Sequence, residues 1–315
     1  MRRLRKLSAL LVCLCVLLAG CGSPPEEAAP EEISVYATFY PIYAAAAMVA
    51  ENVPDLRLNC LVQPQDGCLR GYALSDWDAA LLGSADALIA GGQGLESFGA
   101  ALRLLGEEEL AVAEVFYNME LETREPANGA EDGDSHWLDA NPHIYMSVDG
   151  MLEIVGRTAQ SMAILDPRYE NLYLENLEKA EERLEALKEE IGAEVGAFAG
   201  KKAAVLNEAL VYAARDYGLE LALCWDRESG ESMDKAELEE LLAALEEREI
   251  RAVLIERQAP QGLLEALEGA GIAVAVLDVL STRRADEGYE GYFAAQRANA
   301  AAVREAYLSI PEGNE

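Results

Sequence analysis

Asp166-Pro-Arg-Tyr-Glu-Asn-Leu-Tyr-Leu-Glu-Asn-Leu-Glu-Lys-Ala-Glu-Glu-Arg-Leu-Glu-Ala-Leu-Lys-Glu-Glu-Ile-Gly-Ala-Glu-Val195 divides the chain. Asp is a favoured N-cap and Pro a favoured first helical residue. Apolar residues then recur at Leu172, Leu174, Leu177, Ala180, Leu184, Leu187 and Ile191, with charges between them. That spacing predicts one amphipathic helix running to about Val195. At 1.5 Å per residue, roughly thirty residues reach about 45 Å, the length of a lobe pair. The segment 166–197 is read as a rigid spine between an N-terminal lobe, 33–165, and a C-terminal lobe, 198–315.

Both flanks alternate strands with helices. Before the spine, Ile33–Phe39, Leu56–Val62 and Ala87–Ala90 read as strands. Ile42–Val53, after Pro41, and Ser75–Leu82, started by the cap Ser75, read as helices. Gly91-Gly92-Gln93-Gly94 lacks the spacing of a dinucleotide fingerprint. Residues 120–135 form an acidic loop. After the spine, Ala203–Leu206, Glu220–Cys224, Arg251–Ile255 and Ala273–Leu277 read as strands. Glu208–Tyr217, Met233–Glu247 (after Ser232 as cap) and Leu263–Leu267 read as helices. The expectation is an α/β fold with two lobes of parallel sheet. Ligands in such sheets collect at the carboxyl ends of the strands. His143, Asn207, Glu208, Glu256 and Asp278 all lie in or next to those turns.

The N-terminus predicts export and anchoring. Arg2, Arg3, Arg5 and Lys6 precede an uncharged apolar run, Leu7–Ala19. The run is too short to span a bilayer and reads as the core of a signal peptide, 1–20. Leu18-Ala19-Gly20-Cys21 matches the bacterial lipobox, in which cleavage precedes the cysteine and the Cys21 thiol takes a diacylglycerol. Residues 21–32, rich in Pro, Ala and Glu, read as a disordered tether. The expected location is extracytoplasmic, with membrane contact through the lipid anchor only.

Removing four leader cations and no acid takes the formal charge from −32 to −36. Such a chain is repelled by nucleic acid and by anionic lipid, which excludes a basic-patch nucleic-acid binder. Cys60, Cys68 and Cys224 are the cysteines beyond the anchor, and no Cys-x-x-Cys occurs. Cys60 and Cys68 are close enough in sequence to pair, and a cysteine-cage zinc site is not expected. Nucleophile elbow, phosphate loop and His-Glu-x-x-His are all missing, so no enzyme is expected.

Several segments together resemble the zinc/manganese solute-binding lipoproteins of metal ABC importers. They are Ala37-Thr-Phe-Tyr-Pro41; Tyr72, Ser75 and Asp78; Ala85–Glu96; Asn141-Pro-His-Ile-Tyr145; Tyr212–Leu219; Leu254-Ile-Glu256; Val276-Leu-Asp278; and Tyr292–Tyr307. The resemblance covers nearly the whole mature chain. It implies two lobes joined by the long helix, a Zn²⁺ or Mn²⁺ ion held between them as cargo, a permease partner and a monomer.

The resemblance also implies four ligand positions. Here they fall on Arg70, His143, Asn207 and Asp278. His143 and Asp278 keep the family's residue types. Arg70 has no lone pair to give, and Asn207 offers only an amide oxygen. Glu208 and Cys68 are the substitutes nearest to hand. Arg70 is expected to pair with Asp278 or with an anionic ligand, and Glu256 to support the cleft or to pair with Arg257 or Arg283. His136, in the acidic loop, stands where relatives often carry a histidine-rich loop. Two alternatives stay open: a small polar or anionic ligand in a cleft that has lost its metal, or a surface adhesion lipoprotein.

Overall fold

Eight parallel strands build two four-stranded sheets among the described residues of the computed structural model, which are 32–64, 72–99, 101–102, 110–122, 140–227 and 232–311. The first sheet contains β1 (Ile33–Ala37), β2 (Leu56–Cys60), β3 (Ala87–Ala90) and β4 (Ala111–Glu114), in the order β2-β1-β3-β4. The second contains β5 (Lys202–Val205), β6 (Glu220–Cys224), β7 (Ala252–Glu256) and β8 (Ala273–Leu277), in the order β6-β5-β7-β8. The two orders are equivalent. In each, the first strand lies inside the sheet, so adjacent βα units diverge from it and leave a crevice at the carboxyl ends. Central strands are apolar on both faces, as helices on both sides require: β3 and β7 are buried at every position.

The first sheet is crossed by α1 (Tyr40–Val49) and α2 (Asp76–Leu82). Ser75 caps α2 in a capping box with Asp78, as its sequence suggests. The N-terminal lobe also holds two elements that were not read from sequence, strand β4 and helix α3 (Val148–Leu165). The signal for α3 is present: the Ser147 hydroxyl accepts from Gly150 N–H, and Met151, Ile154, Val155 and Met162 are buried at helical spacing.

The spine is α4 (Glu170–Val195), entered through a 3-10 turn over Pro167–Tyr169. Asp166 does not cap it. Its carboxylate instead takes the Arg168 guanidinium at 2.7 Å. The buried stripe runs through Tyr173, Asn176, Ala180, Leu184, Leu187, Ile191 and Val195. Leu174, read as part of that stripe, is 40% exposed, because Tyr173 takes the inward place. Asn176 donates to the carbonyls of Val49 and Glu51 and so finishes the C-terminus of α1.

Beyond the spine come α5 (Leu210–Asp216), α6 (Lys235–Glu247), α7 (Gln261–Gly269) and α8 (Glu290–Ser309). α6 starts after Asp234, not Ser232, because Asp234 and Glu237 form the capping box. α8 runs parallel to the spine. Arg183–Glu290, Glu190–Arg297 and Glu194–Arg304 pair up the two helices, with the α8 partners seven residues apart. α1 and α3 also pack on α4. Arg183 adds cation–π contacts to Tyr289 and Phe293. The Tyr40 hydroxyl, on α1, donates to the Gly288 carbonyl before α8 at 2.8 Å.

The signal peptide, Cys21, the tether up to residue 31, Cys68, Arg70 and His136 lie outside the described residues.

Candidate functional site

The segment before α3 brings His143 against the start of α5. His143 is buried, and its ring Nδ1 lies 2.9 Å from Asn141 Oδ1. Asn141 Nδ2 donates to the Glu208 carbonyl at 2.8 Å, which fixes Oδ1 as the end facing the ring. The same Oδ1 accepts from the His143 N–H. Nδ1 therefore donates to Asn141, the arrangement that a histidine ligating through Nε2 needs. Asn141 is thus the positioning residue for His143, a role its sequence context did not announce.

Contacts from the second sheet hold this corner. Tyr212, on α5, donates to the Asn141 carbonyl at 2.9 Å and accepts from the Glu122 N–H at 2.8 Å. Asp216, at the end of α5, accepts from the Ser147 hydroxyl and the Val148 N–H at the start of α3. Burial pushes the Asp216 carboxyl up, opposed by those two donors.

Along the carboxyl edge of the second sheet lie Asp226 after β6, Asn207 and Glu208 after β5, Glu256 and Arg257 at the end of β7, and Asp278 after β8. Glu208 is buried, its carboxylate 3.7 Å from His143 Nδ1 and its N–H on Asp226 Oδ1. It is the acid that meets His143. Asn207 turns its Oδ1 to the Ala209 N–H at 2.8 Å and its Nδ2 toward Glu256 Oε2 at 3.3 Å. Its carbonyl oxygen thus shapes the entry of α5. Glu256 is buried beside it.

Asp278 is the most firmly held of these residues. Asn299, on α8, accepts from its N–H at 2.8 Å and donates to its carbonyl at 3.0 Å. Oδ1 accepts from the Leu280 N–H at 2.8 Å, closing an Asx turn. Leu280 sits at φ 69° with a fully buried side chain, a conformation that bulky residues adopt only where their surroundings impose it. Oδ2 takes two guanidiniums, Arg283 Nε at 2.8 Å and Arg257 Nη2 at 3.2 Å. The described partners of Asp278 are therefore Arg257 and Arg283; Arg70, expected on Asp278 or on an anionic ligand, lies outside the described residues.

Among the described residues, no three His, Cys, Asp or Glu side chains gather as a cation-holding group. His143 with Glu208 forms one cluster and Asp278 with its arginines another. Cys60 is a poor donor here, because burial pushes its thiol up to about 12. A cavity of about 540 Å³ opens at the opposite edge of the second sheet, lined by Lys201, Lys202, Arg251 and Tyr307 among others. It lies away from the strand carboxyl ends.

This arrangement of two equivalent sheets, a spine and a buried histidine between them has relatives. The ZnuA profile, described as zinc-uptake complex component A, periplasmic, matches residues 35–306. The chain belongs to the ZnuA family. Its curated relatives include the zinc-binding lipoprotein AdcA of Streptococcus pneumoniae, 23% identical over 96% of this chain. The chain spans about 61% of that relative's length. FpvC of Pseudomonas aeruginosa in complex with Mn²⁺ superposes with a TM-score of 0.75 at 19% identity, over 88% of this chain and 99% of that one. The Zn(II)-bound ZnuA-like domain of S. pneumoniae AdcA gives 0.71 at 21%, over 87% and 98%. These likenesses establish the fold of this ZnuA-family chain: two parallel-sheet α/β lobes and a long helix.

Proposed function

We propose that this ZnuA-family chain is the extracytoplasmic solute-binding lipoprotein of an ABC importer for a divalent metal ion, zinc or manganese. His143 and Asp278 are the ligands, Glu208 is the nearest supporting acid, and Asn207 and Glu256 shape the cleft. The observation that carries this reading is the orientation of His143: buried, with its Nδ1 turned onto Asn141 Oδ1, the placement a histidine needs to ligate through Nε2. Family membership across residues 35–306 supports it, as do the Zn(II)-bound ZnuA-like domain of AdcA and FpvC in complex with Mn²⁺. The chain acts as a transport component, not an enzyme. Its partner is a permease, its working state a monomer, and its anchor a diacylglycerol on Cys21.

Elemental analysis of protein purified without chelator tests the cargo. About one equivalent of zinc or manganese per chain is expected, and protein that neither retains nor takes up either ion contradicts the reading. Cys21→Ser tests the anchor, since it is expected to move the protein from membranes to the soluble fraction.

One observation favours a second reading, a small polar or anionic ligand. Two guanidiniums stand at the Asp278 end of the cleft, and such groups match carboxylates. Under that reading, small dicarboxylates would bind and Zn²⁺ and Mn²⁺ would not.

A further inference from the structure

Arg257 and Arg283 both reach Asp278 Oδ2, but they are held differently. Arg283 is 17% exposed, and its Nη1 also donates to Glu287 at 2.6 Å, so it is fixed from two sides. Arg257 is 55% exposed, and its side chain makes its ion pair with Asp278 at 3.2 Å. Its backbone is fixed all the same. The Arg257 N–H donates to the Leu277 carbonyl at 2.8 Å, carrying the β7–β8 ladder one residue past the strand end. The guanidinium is therefore delivered to Asp278 by a rigid root and a mobile stem.

A carboxylate oxygen has two lone pairs. On Oδ2, Arg283 Nε takes one by hydrogen bond, and the Arg257 guanidinium stands 3.2 Å away as an ion pair. On Oδ1, the Leu280 N–H takes one. A cation arriving at Asp278 meets a carboxylate already paired with two guanidiniums, and like charges repel strongly where water is partly excluded.

We propose that Arg257 is a built-in competitor for the cargo ion: its guanidinium occupies Asp278 in the empty cleft and must swing out before a divalent cation can use that carboxylate. Arg283 stays and orients Asp278, while Arg257 leaves, because only its stem is solvated enough to move at small cost. Loading then exchanges an internal cation for an external one. The exchange lowers affinity, and it returns Arg257 to Asp278 when the ion is lost, which favours release to a permease. This inference rests on the metal-binding reading above.

The test is competition between the purified chain and a zinc chelator, and a parallel titration with Mn²⁺. Arg257→Gln removes the charge and is expected to bind Zn²⁺ at least about tenfold more tightly than the unaltered chain. Arg257→Ala, as a second truncation, is expected to do the same. Arg257→Lys keeps a cation at the end of the stem and is expected to stay within about threefold of the unaltered affinity. Adding Asp278→Asn to Arg257→Gln is expected to abolish the gain, because the gain acts through that carboxylate. Equal or weaker binding by both truncations, in a chain that itself binds Zn²⁺, overturns the competitor and leaves the cargo assignment standing. A gain that persists with Asp278→Asn also overturns it. If neither the chain nor any variant binds Zn²⁺ or Mn²⁺, the metal reading itself fails and the competitor falls with it.

Discussion

Asp278 and Arg283 form the buried anchor of the cleft, Oδ2 to Nε at 2.8 Å, with the aspartate side chain 1% exposed. Removing one partner of a buried pair costs about 3–5 kcal/mol, because the remaining charge loses its compensation. Arg283→Gln is expected to fall near the low end of that range, since Arg257 still reaches Asp278. Arg257→Gln should cost less than about 1 kcal/mol, as exposed pairs do. Urea unfolding of the two variants checks the contrast. Equal costs would mean the two arginines hold Asp278 alike.

Asn141 fixes the ring of His143 without contributing a metal ligand itself. Partners that orient a ligating histidine are commonly worth about 10- to 100-fold in metal affinity. Asn141→Ala is expected to weaken Zn²⁺ binding by that range. It also removes the donor to the Glu208 carbonyl, so the melting temperature should fall as well. Unchanged affinity would show that the ring is held by other contacts.

Asp78 carries a pH prediction. Burial raises its carboxyl, but the Ser75 N–H, the Ser75 hydroxyl and the Tyr72 hydroxyl all donate to Oδ2 and leave it lowered overall. A lowered folded-state value means the unfolded chain binds the proton more tightly. Its stabilisation is then complete above the unfolded value near 3.9 and is lost as pH falls through the lower folded value. Asp78→Ala should cost about 1.5–3 kcal/mol at neutral pH, and the difference should shrink at strongly acid pH. Chemical unfolding at several pH values measures it, and a difference that grows toward acid would contradict the assignment.

Leu187 faces inward from the spine and is fully buried, whereas Leu174 is 40% exposed. Leu187→Ala is expected to cost about 2–5 kcal/mol, and Leu174→Ala within about 0.5 kcal/mol. Comparable losses from both would mean that the buried stripe of α4 is misplaced.

Much of the fold was legible because its signals are local. Ser75 with Asp78 announces α2, and Ala87–Ala90 and Ala273–Leu277 are short apolar runs bounded by turns, read to the residue. β4 is only four half-buried residues, Ala111–Glu114, too short and mixed for a periodic signal. α3 carries a clear stripe and the Ser147 cap, so its signal is as local as that of α2. The candidate site was legible in its positions and less so in its partners. Glu208, Glu256 and Asp278 do lie at strand ends and are buried, whereas His143, also buried, lies in the segment before α3. Which charge meets Asp278 depends on tertiary placement: Arg257 comes from the neighbouring strand and Arg283 from the turn five residues on. No spacing rule gives that. Asn207 illustrates the same point. Its side chain is spent on the Ala209 N–H and on Glu256, contacts that only the assembled turn creates.

On the proposed function, this cleft carries a divalent metal ion on His143. Zinc competition of the unaltered chain against His143→Ala, both freed of metal beforehand, addresses it most directly. One equivalent of Zn²⁺ per unaltered chain, reduced at least about tenfold in affinity by the substitution, is the predicted result. Zn²⁺ binding that is absent from the unaltered chain, or identical in the two proteins, would contradict the account.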